Sequence, residues 1–202
     1  MSKKLLIETH TIQIPPTSLT ESVSASNGNM IVEGILATCE VKNGNGRYYS
    51  KELWEREMDK YSELIEQRRS MGELDHPESQ VINLQNVSHL ISGYRLDGDN
   101  IIGKIEVLPT PSGDILKALV GNGVTVGVSS RGMGSLEERN GVMEVQDDFE
   151  LLCWDFVSTP SNPGSYMHMI KEGKENLELF DYTKINSIIH EILCSKGSCS
   201  IT

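Results

Sequence analysis

Three segments of the sequence contain residue types that can do acid–base or nucleophilic chemistry. The stretch MGELDHPESQ, Met71–Gln80, holds His76 among three acids. Two adjacent serines, Ser129 and Ser130, end the apolar run GVTVGVSS and precede an arginine and a glycine. The third segment is LLCWDFVSTP, in which Asp155 stands in the most apolar run of the chain. A base, a nucleophile and an orienting acid are therefore all available.

Each segment also fits an ordinary structural interpretation. His76 precedes Pro77, which favours extended backbone, so the acidic stretch also fits a polar surface turn between a helix and a strand. The serines also fit a Gly/Ser turn into a hairpin, and they lack the G-x-S-x-G pattern. Asp155 fits an outward-facing strand residue, although a buried carboxylate needs a partner. Spacing alone does not decide, because the chain has 5 histidines and many serines and acids.

Composition argues against several classes of function. The formal net charge is −11, from 18 basic and 29 acidic residues, which disfavours a nucleic-acid surface. No run approaches the roughly 20 apolar residues of a membrane span, and polar residues interrupt the N-terminal apolar residues too early for a signal peptide. The 4 cysteines do not make a disulfide framework in a chain this long. We expect a reducing, cytoplasmic protein without a metal or cofactor, and with no nucleic-acid or membrane partner.

The elements that must position these residues are predicted to be rich in strands, with two or three helices. A loose lead-in over 1–28 precedes a predicted strand over 29–41, and Ser50 is the predicted N-cap of a helix that ends near Arg69. The turn DGDN predicts a β-hairpin, and the run from Thr110 to Asn122 predicts a short helix. The runs GVTVGVSS, NGVMEV and FELLCWDFVSTP predict further strands, the first leading into the glycine-punctuated RGMGS. INSIIHEIL predicts an amphipathic C-terminal helix.

Several segments together resemble the prohead core proteases of T-even bacteriophages. They are LLIET, IVEGILATCEVKNGNGRYYSKELWE, GELDHPES, GDILKALVGNGVTVGVSSRGMGSL and DFELLCWDFVSTPSNP, in this order. The resemblance runs from about residue 5 to about residue 168 and is most specific at GEL-x-HP and G-V-S-S-R-G. It implies an α+β fold with an assemblin-like β-barrel core and flanking helices, because the family is related to herpesvirus assemblins. It also implies a serine endopeptidase that degrades scaffold and trims capsid proteins inside the prohead, in the host cytoplasm.

The resemblance assigns roles to individual residues. His76 of GEL-x-HP is the implied general base, and Ser129, the first serine of GVSSRG, is the implied nucleophile. Asp155 is the expected third member, because an acid that accepts from the imidazole Nδ1–H fixes the tautomer most strongly. Herpesvirus relatives use a second histidine instead, which leaves His89 and His168 as alternatives.

Supporting roles are expected for residues around the two motifs. Backbone N–H groups near Arg131 and Gly132 are the expected oxyanion hole, with the alternative that the Arg131 side chain supports the loop by bonding backbone carbonyls. Leu74 is the expected anchor of the histidine loop, and Pro77 stiffens its exit. Asp75 receives no role.

The resemblance also divides the chain and predicts self-cleavage. The expected parts are the lead-in 1–28, a serine protease domain 29–170, and a removable linker and helix 171–202. Proteases of this family prefer an apolar residue, any residue and glutamate before the cut, and a small residue after it. IKEG, Ile170–Gly173, fits both sides, so we expect a cut after Glu172. Scaffold protein, major capsid protein and the chain itself are the expected substrates, and homo-oligomerisation is left open.

Two other functions are weighed against this one. A metallohydrolase would use His76, His89 and an acid such as Glu73 as ligands, but the sequence lacks H-E-x-x-H or any other tight ligand spacing. A non-enzymatic capsid assembly or scaffold domain would retain the protease fold without its chemistry. The presence of His76, Ser129 and Asp155 at the three motif positions argues against that alternative.

Overall fold

The computed structural model describes residues 3–7, 28–158 and 167–169, all within one compact unit, Met1–Glu172. These residues form a mixed α+β fold, as expected. The strands are β1 (Lys4–Ile7), β2 (Ile31–Thr38), β3 (Arg47–Tyr48), β4 (Met71–Glu73), β5 (Val87–Asp97), β6 (Asn100–Val107), β7 (Gly127–Gly134), β8 (Leu136–Arg139), β9 (Val142–Val145), β10 (Glu150–Val157) and β11 (Met167–Met169), and the helices are α1 (Lys51–Glu66) and α2 (Pro111–Gly121). Neither helix is long and apolar enough to span a membrane.

The strands of the described chain lie in three sheets. Their orders are β1-β7-β10, β11-β2-β6-β5-β4 and β3-β9-β8. Two contacts join the first two sheets. Leu74, just after β4, makes an isolated parallel bridge with Phe156 in β10, and the Met167 N–H in β11 donates to the Val126 carbonyl just before β7 at 3.3 Å. These residues do not form a closed barrel, so the assemblin-like barrel stays a prediction.

Helix α1 forms as the sequence predicts and covers one face of β10. The Ser50 side chain accepts a hydrogen bond from the Leu53 N–H at 3.2 Å, which satisfies one of the unpaired donors of the first turn. The apolar positions recur at helical spacing, and Trp54 and Met58 are buried. Trp54 stacks on Trp154 of β10 with ring centroids 5.3 Å apart, so this side of β10 belongs to the core.

The hairpin and the second helix also follow local signals. Strands β5 and β6 pair antiparallel, and the turn between them contains Gly98 at a φ of +61°, where glycine has no steric penalty. Helix α2 begins at Pro111, after Thr110, whose side chain accepts from the Gly113 N–H at 3.0 Å. Proline suits this first position because its missing N–H would have no helical partner.

Two predictions about the strands are wrong in detail. Lys4–Ile7 falls inside the predicted loose lead-in, yet it forms β1 and pairs antiparallel with β7. Strand β7 begins later than predicted and continues through RGMG. Glycine permits this continuation because a Cβ at Gly132 would lie 2.4 Å from the Phe149 ring, so only a bare backbone fits beneath that side chain.

The predictions for the C-terminal part fall outside the described residues. These are the linker and the amphipathic helix within 171–202, where Cys194 and Cys199 also lie. The other two cysteines, Cys39 and Cys153, are buried free thiols.

Candidate active site

The histidine loop is fixed to β10 immediately before it reaches His76. Leu74 packs against the core and bridges to Phe156, as expected of an anchor. The Asp75 N–H then donates to the Phe156 carbonyl at 2.8 Å. Asp75 itself has a φ of +66°, a left-handed conformation that turns the chain. The backbone of Asp75 therefore helps to set the direction in which the loop runs from its contact with β10 toward His76.

The pairing of β7 with β10 determines which serine faces the histidine loop. Ser129 is the Cα partner of Asp155, and Ser130 is the partner of Trp154. Directly opposed residues of an antiparallel pair have side chains on the same face, and successive residues alternate between faces. Ser129 therefore shares a face with Asp155, whereas Ser130 shares the face on which Trp154 meets α1. Both serines are buried.

His76 and Asp155 form a buried hydrogen-bonded pair. Nδ1 of His76 lies 2.8 Å from Oδ2 of Asp155, and the two side chains are 5% and 0% exposed. Because a carboxylate only accepts, Nδ1 carries the proton and Nε2 is the basic nitrogen. Within the described chain, Nε2 of His76 is buried and makes no hydrogen bond. The arrangement leaves an oriented, unused acceptor on the imidazole.

Asp155 is held in its ionised form. Burial alone would raise the pKa of this carboxyl, but the hydrogen bonds from His76 and from the Glu73 N–H, together with the positive charge of Arg131, lower its pKa below the ordinary value. The Glu73 N–H donates to Oδ1 at 3.0 Å. The acid that orients the imidazole is therefore a carboxylate at neutral pH.

Arg131 lies at the centre of the buried polar groups behind His76. Its Nε lies 2.9 Å from Oδ2 of Asp155, and its Nη2 donates to Oε2 of Glu73 at 2.6 Å. Its Nη1 donates to the Ser79 carbonyl at 2.9 Å, so the side chain bonds a backbone carbonyl of the histidine loop. Its Nε also contacts the sulfur of Cys153 at 3.2 Å. The guanidinium is thus arranged as a support for the site.

The backbones of Arg131 and Gly132 lie in the middle strand of a sheet. Both residues pair with β1 on one side and with β10 on the other. Interior strand residues use their N–H groups in these ladders. Their role as oxyanion-hole donors stays a prediction.

The alternative histidine His89 is engaged elsewhere. Its Nε2 bonds the Trp154 carbonyl at 3.0 Å and its Nδ1 bonds the Ser88 hydroxyl at 2.9 Å. Burial lowers its pKa to about 4, so the ring is neutral at pH 7. The backbone of the other candidate, His168, lies in β11, and its side chain falls outside the described part of the structure.

The side chains proposed as metal ligands do not assemble into a metal site. Glu73 binds Arg131 and accepts from the Asn83 N–H at 3.0 Å, and both nitrogens of His89 have partners. Residues 3–7, 28–158 and 167–169 contain no group of three or more His, Cys, Asp or Glu that could hold a metal ion.

Sequence reasoning missed two members of the site, Glu73 and Cys153. Cys153 could have been found from the period of two along a strand, because it precedes Asp155 by two residues and therefore shares its face. The role of Glu73 depends on its contact with Arg131, which is 58 residues distant in the sequence. No local pattern signals that contact.

Comparisons with known proteins identify the family to which the chain belongs. A family model described as prohead core protein serine protease matches residues 12–175. The prohead core protein protease of Enterobacteria phage T4 is 32% identical over 143 residues, which cover 68% of each chain. The solved structure of the bacteriophage T4 capsid assembly protease gp21 matches with a TM-score of 0.68 and 29% identity, over 77% of this chain and 98% of that one. The chain belongs to the prohead core protein serine protease family.

Proposed function

We propose that the chain is a serine endopeptidase of phage head maturation whose triad is Ser129, His76 and Asp155. The observation that carries the proposal is the buried 2.8 Å pair of His76 Nδ1 with Asp155 Oδ2. Ser129 is the ladder partner of that same aspartate, and Nε2 of His76 makes no hydrogen bond in the described chain. This is the base–acid half of a triad with a serine on the same sheet face.

In the proposed reaction, His76 accepts and then donates a proton in each of two stages, acylation and deacylation. The Ser129 hydroxyl oxygen attacks the peptide carbonyl while Nε2 of His76 takes its proton. The resulting imidazolium donates that proton to the amine that leaves as the C–N bond breaks. Water then enters, gives a proton to Nε2, and attacks the acyl-enzyme ester, and the imidazolium returns the proton to the Ser129 oxygen. Asp155 stabilises the imidazolium at both stages.

The proposed substrates are the scaffold and major capsid proteins, cut inside the prohead in the host cell. Support comes from the names of the relatives, a prohead core protein protease and a capsid assembly protease of phage T4. We propose a cut after an apolar-x-Glu sequence, the preference implied by the sequence resemblance. Peptides that differ only in that glutamate, replaced by glutamine, measure the preference.

The proposal includes self-cleavage after Glu172. The compact unit that contains every described residue ends at Glu172, which is where IKEG places the cut. Mass spectrometry of active enzyme is expected to find a fragment that ends at Glu172 and that is absent from the Ser129→Ala protein. An intact C-terminus at Thr202 in fully active enzyme would contradict this part of the proposal.

An assemblin-like barrel is the proposed form of the core. It is supported by the bridge of Leu74, after edge strand β4, to Phe156 in edge strand β10, and by the hydrogen bond from Met167 in edge strand β11 to Val126, just before β7. A high-resolution crystal structure tests it directly, because a barrel requires continuous pairing at both edges.

The triad is tested with a matched pair of serine variants. Ser129→Ala and His76→Ala are expected to abolish cleavage, whereas Ser130→Ala is expected to retain most of it, because Ser130 shares a sheet face with Trp154. A fluorophosphonate probe is expected to label Ser129, which a non-enzymatic capsid domain would not permit. Activity that is unchanged in a strong chelator distinguishes this enzyme from a metallohydrolase. An inactive Ser130→Ala beside an active Ser129→Ala would move the nucleophile by one residue.

A further inference from the structure

The buried groups behind His76 carry one more acid than the proposed triad uses. Glu73 is 0% exposed and Arg131 is 1% exposed, and they approach to 2.6 Å. Asp155, also 0% exposed, approaches the same guanidinium at 2.9 Å. One cation is therefore shared by two anions in a site that excludes water. We call Glu73, Arg131, Asp155 and His76 the buried charge cluster.

Hydrogen-bond geometry shows that Glu73 is ionised. Its Oε2 accepts from Arg131 Nη2, and its Oε1 accepts from the Asn83 N–H at 3.0 Å. Both oxygens face donors, and a protonated carboxyl would need an acceptor for its own proton. The two carboxylates and one guanidinium give the buried charge cluster one net negative charge when the imidazole is neutral. Protonation of His76 brings the net charge to zero.

We propose that Glu73 is a positioning residue that acts through Arg131 to favour the imidazolium form of His76. The inference rests on the proposed function, in which His76 takes the proton of Ser129. Without Glu73, Arg131 would neutralise Asp155, and a proton on His76 would then leave the buried charge cluster with an excess positive charge. With Glu73 present, the same proton cancels the net negative charge of the buried charge cluster. A buried site stabilises an uncompensated charge poorly, so the protonated form of His76 is favoured.

Glu73 and Arg131 also hold the loop that contains His76 at two points. Arg131 Nη1 donates to the Ser79 carbonyl and Glu73 Oε1 accepts from the Asn83 N–H, both in the segment that follows His76. The charge role is separable from this mechanical one by the sign of its effect. Loss of either loop contact would disturb the His76–Asp155 pair in the same direction, whereas loss of an anion and loss of a cation shift the protonation of His76 in opposite directions.

Other titratable groups near His76 do not compete with Glu73 for this role. Burial raises the pKa of Cys153 and of Tyr61 and lowers that of His89, so all three are neutral at pH 7. Asp75 and Glu78, on the loop itself, are exposed and therefore screened by solvent.

The test is a pH titration of His76 in the full chain, monitored by NMR in a Ser129→Ala background. The His76 signal is identified by its loss in His76→Gln. Glu73→Gln is expected to lower the titration midpoint by about one pH unit, the size expected for loss of a nearby charge. Arg131→Met is expected to raise it, and the double variant is expected to return it close to the original value. A purely mechanical role would not produce opposite signs that cancel.

The Ser129→Ala parent, the two single variants and the double variant form a double-mutant cycle. This cycle measures the effect of removing Glu73 on the His76 midpoint twice, with Arg131 present and with Arg131 absent. If Glu73→Gln does not fold, the comparison of Arg131→Met with the double variant still gives the effect. The double variant removes both charges of a buried pair together, which proteins tolerate better than loss of one partner. Glu57→Gln is the matched control, because Glu57 is another buried acid that accepts a backbone N–H, from Leu151, away from His76.

A His76 midpoint that is unchanged in a folded Glu73→Gln protein would overturn the inference, as would an equal shift in Glu57→Gln. The titration needs no catalysis, so its result is independent of the proposed protease function. Cleavage that persists in Ser129→Ala would refute that function and leave the titration result standing. With Ser129 intact, the acid limb of the kcat/KM profile is expected to move to lower pH in Glu73→Gln.

Discussion

Asp155→Asn tests the proposed triad most directly, because every close partner of this carboxylate is a donor. Oδ2 faces His76 Nδ1 at 2.8 Å and Arg131 Nε at 2.9 Å. Oδ1 faces the Glu73 N–H at 3.0 Å and Arg131 Nη2 at 3.2 Å. An amide has only one acceptor oxygen, so either orientation of the new side chain turns an NH2 group toward other N–H donors.

The expected loss of activity follows from the imidazole tautomer. An NH2 group facing His76 makes Nδ1 the acceptor and moves the ring proton to Nε2, which can then no longer accept from Ser129. We expect kcat to fall by about 10³ to 10⁴-fold, which corresponds to about 4 to 5.5 kcal/mol in activation free energy. Breaking the buried ionic contact with Arg131 is expected to lower the free energy of unfolding by about 3–5 kcal/mol. For a chain of this size, that lowers Tm by about 6 to 20 °C.

The assay is turnover of a fluorogenic apolar-x-Glu peptide, at a temperature where near-UV circular dichroism shows the variant folded. Asp148→Asn is the control, because Asp148 is a carboxylate outside the site that accepts from the Ser135 N–H at 2.9 Å and from its hydroxyl at 2.8 Å. The control is expected to turn over at the unmodified rate. Near-normal turnover in folded Asp155→Asn would refute the reasoning and pass the third role to another residue.

Two further predictions concern stability. Gly72→Ala is expected to lower the free energy of unfolding by about 3 kcal/mol or more, because its Cβ would lie 2.0 Å from the Trp154 carbonyl oxygen. Urea unfolding measures the loss. Gly93→Ala is the control, because nothing lies within 4 Å of its Cβ. Because burial lowers the pKa of His89 from 6.5 to about 4, the unfolded chain binds more protons between these values. Stability is therefore fully present above pH 6.5 and lost as the pH falls toward 4, by about 3 kcal/mol. His89→Gln is expected to flatten that dependence, and a slope unchanged by the substitution would contradict the assignment.

Local signals predicted the helices and the hairpin because their causes lie within a few residues. Ser50 caps α1 through an N–H three residues away, and Gly98 supplies a positive φ to its own turn. Strand β8 was missed because LEER has no alternating apolar pattern. It forms because β9 follows it across a tight turn at Asn140 and Gly141, both with positive φ.

The candidate site was predictable in its residue types but not in its connections. The motifs identified His76, Ser129 and Asp155 as candidates, and the structure places the first and third in contact. The supporting contacts depend on side chains that approach across the fold. Arg131 in β7 bonds Glu73 in β4 and the Ser79 carbonyl in the histidine loop, both more than 50 residues earlier in the sequence. No period or composition encodes such an approach.

The dependence of the histidine loop on β10 has a consequence for biosynthesis. Asp155 is the 79th residue that the ribosome adds after His76, and Phe156, which anchors Leu74 and Asp75, follows it. A nascent chain that ends within β7 already contains Ser129 and His76 but lacks both the orienting acid and the anchor. If the proposed triad is correct, proteolytic competence arises only after nearly the whole folded unit has been translated. Incomplete chains released early from the ribosome are expected to be harmless to the proteins around them.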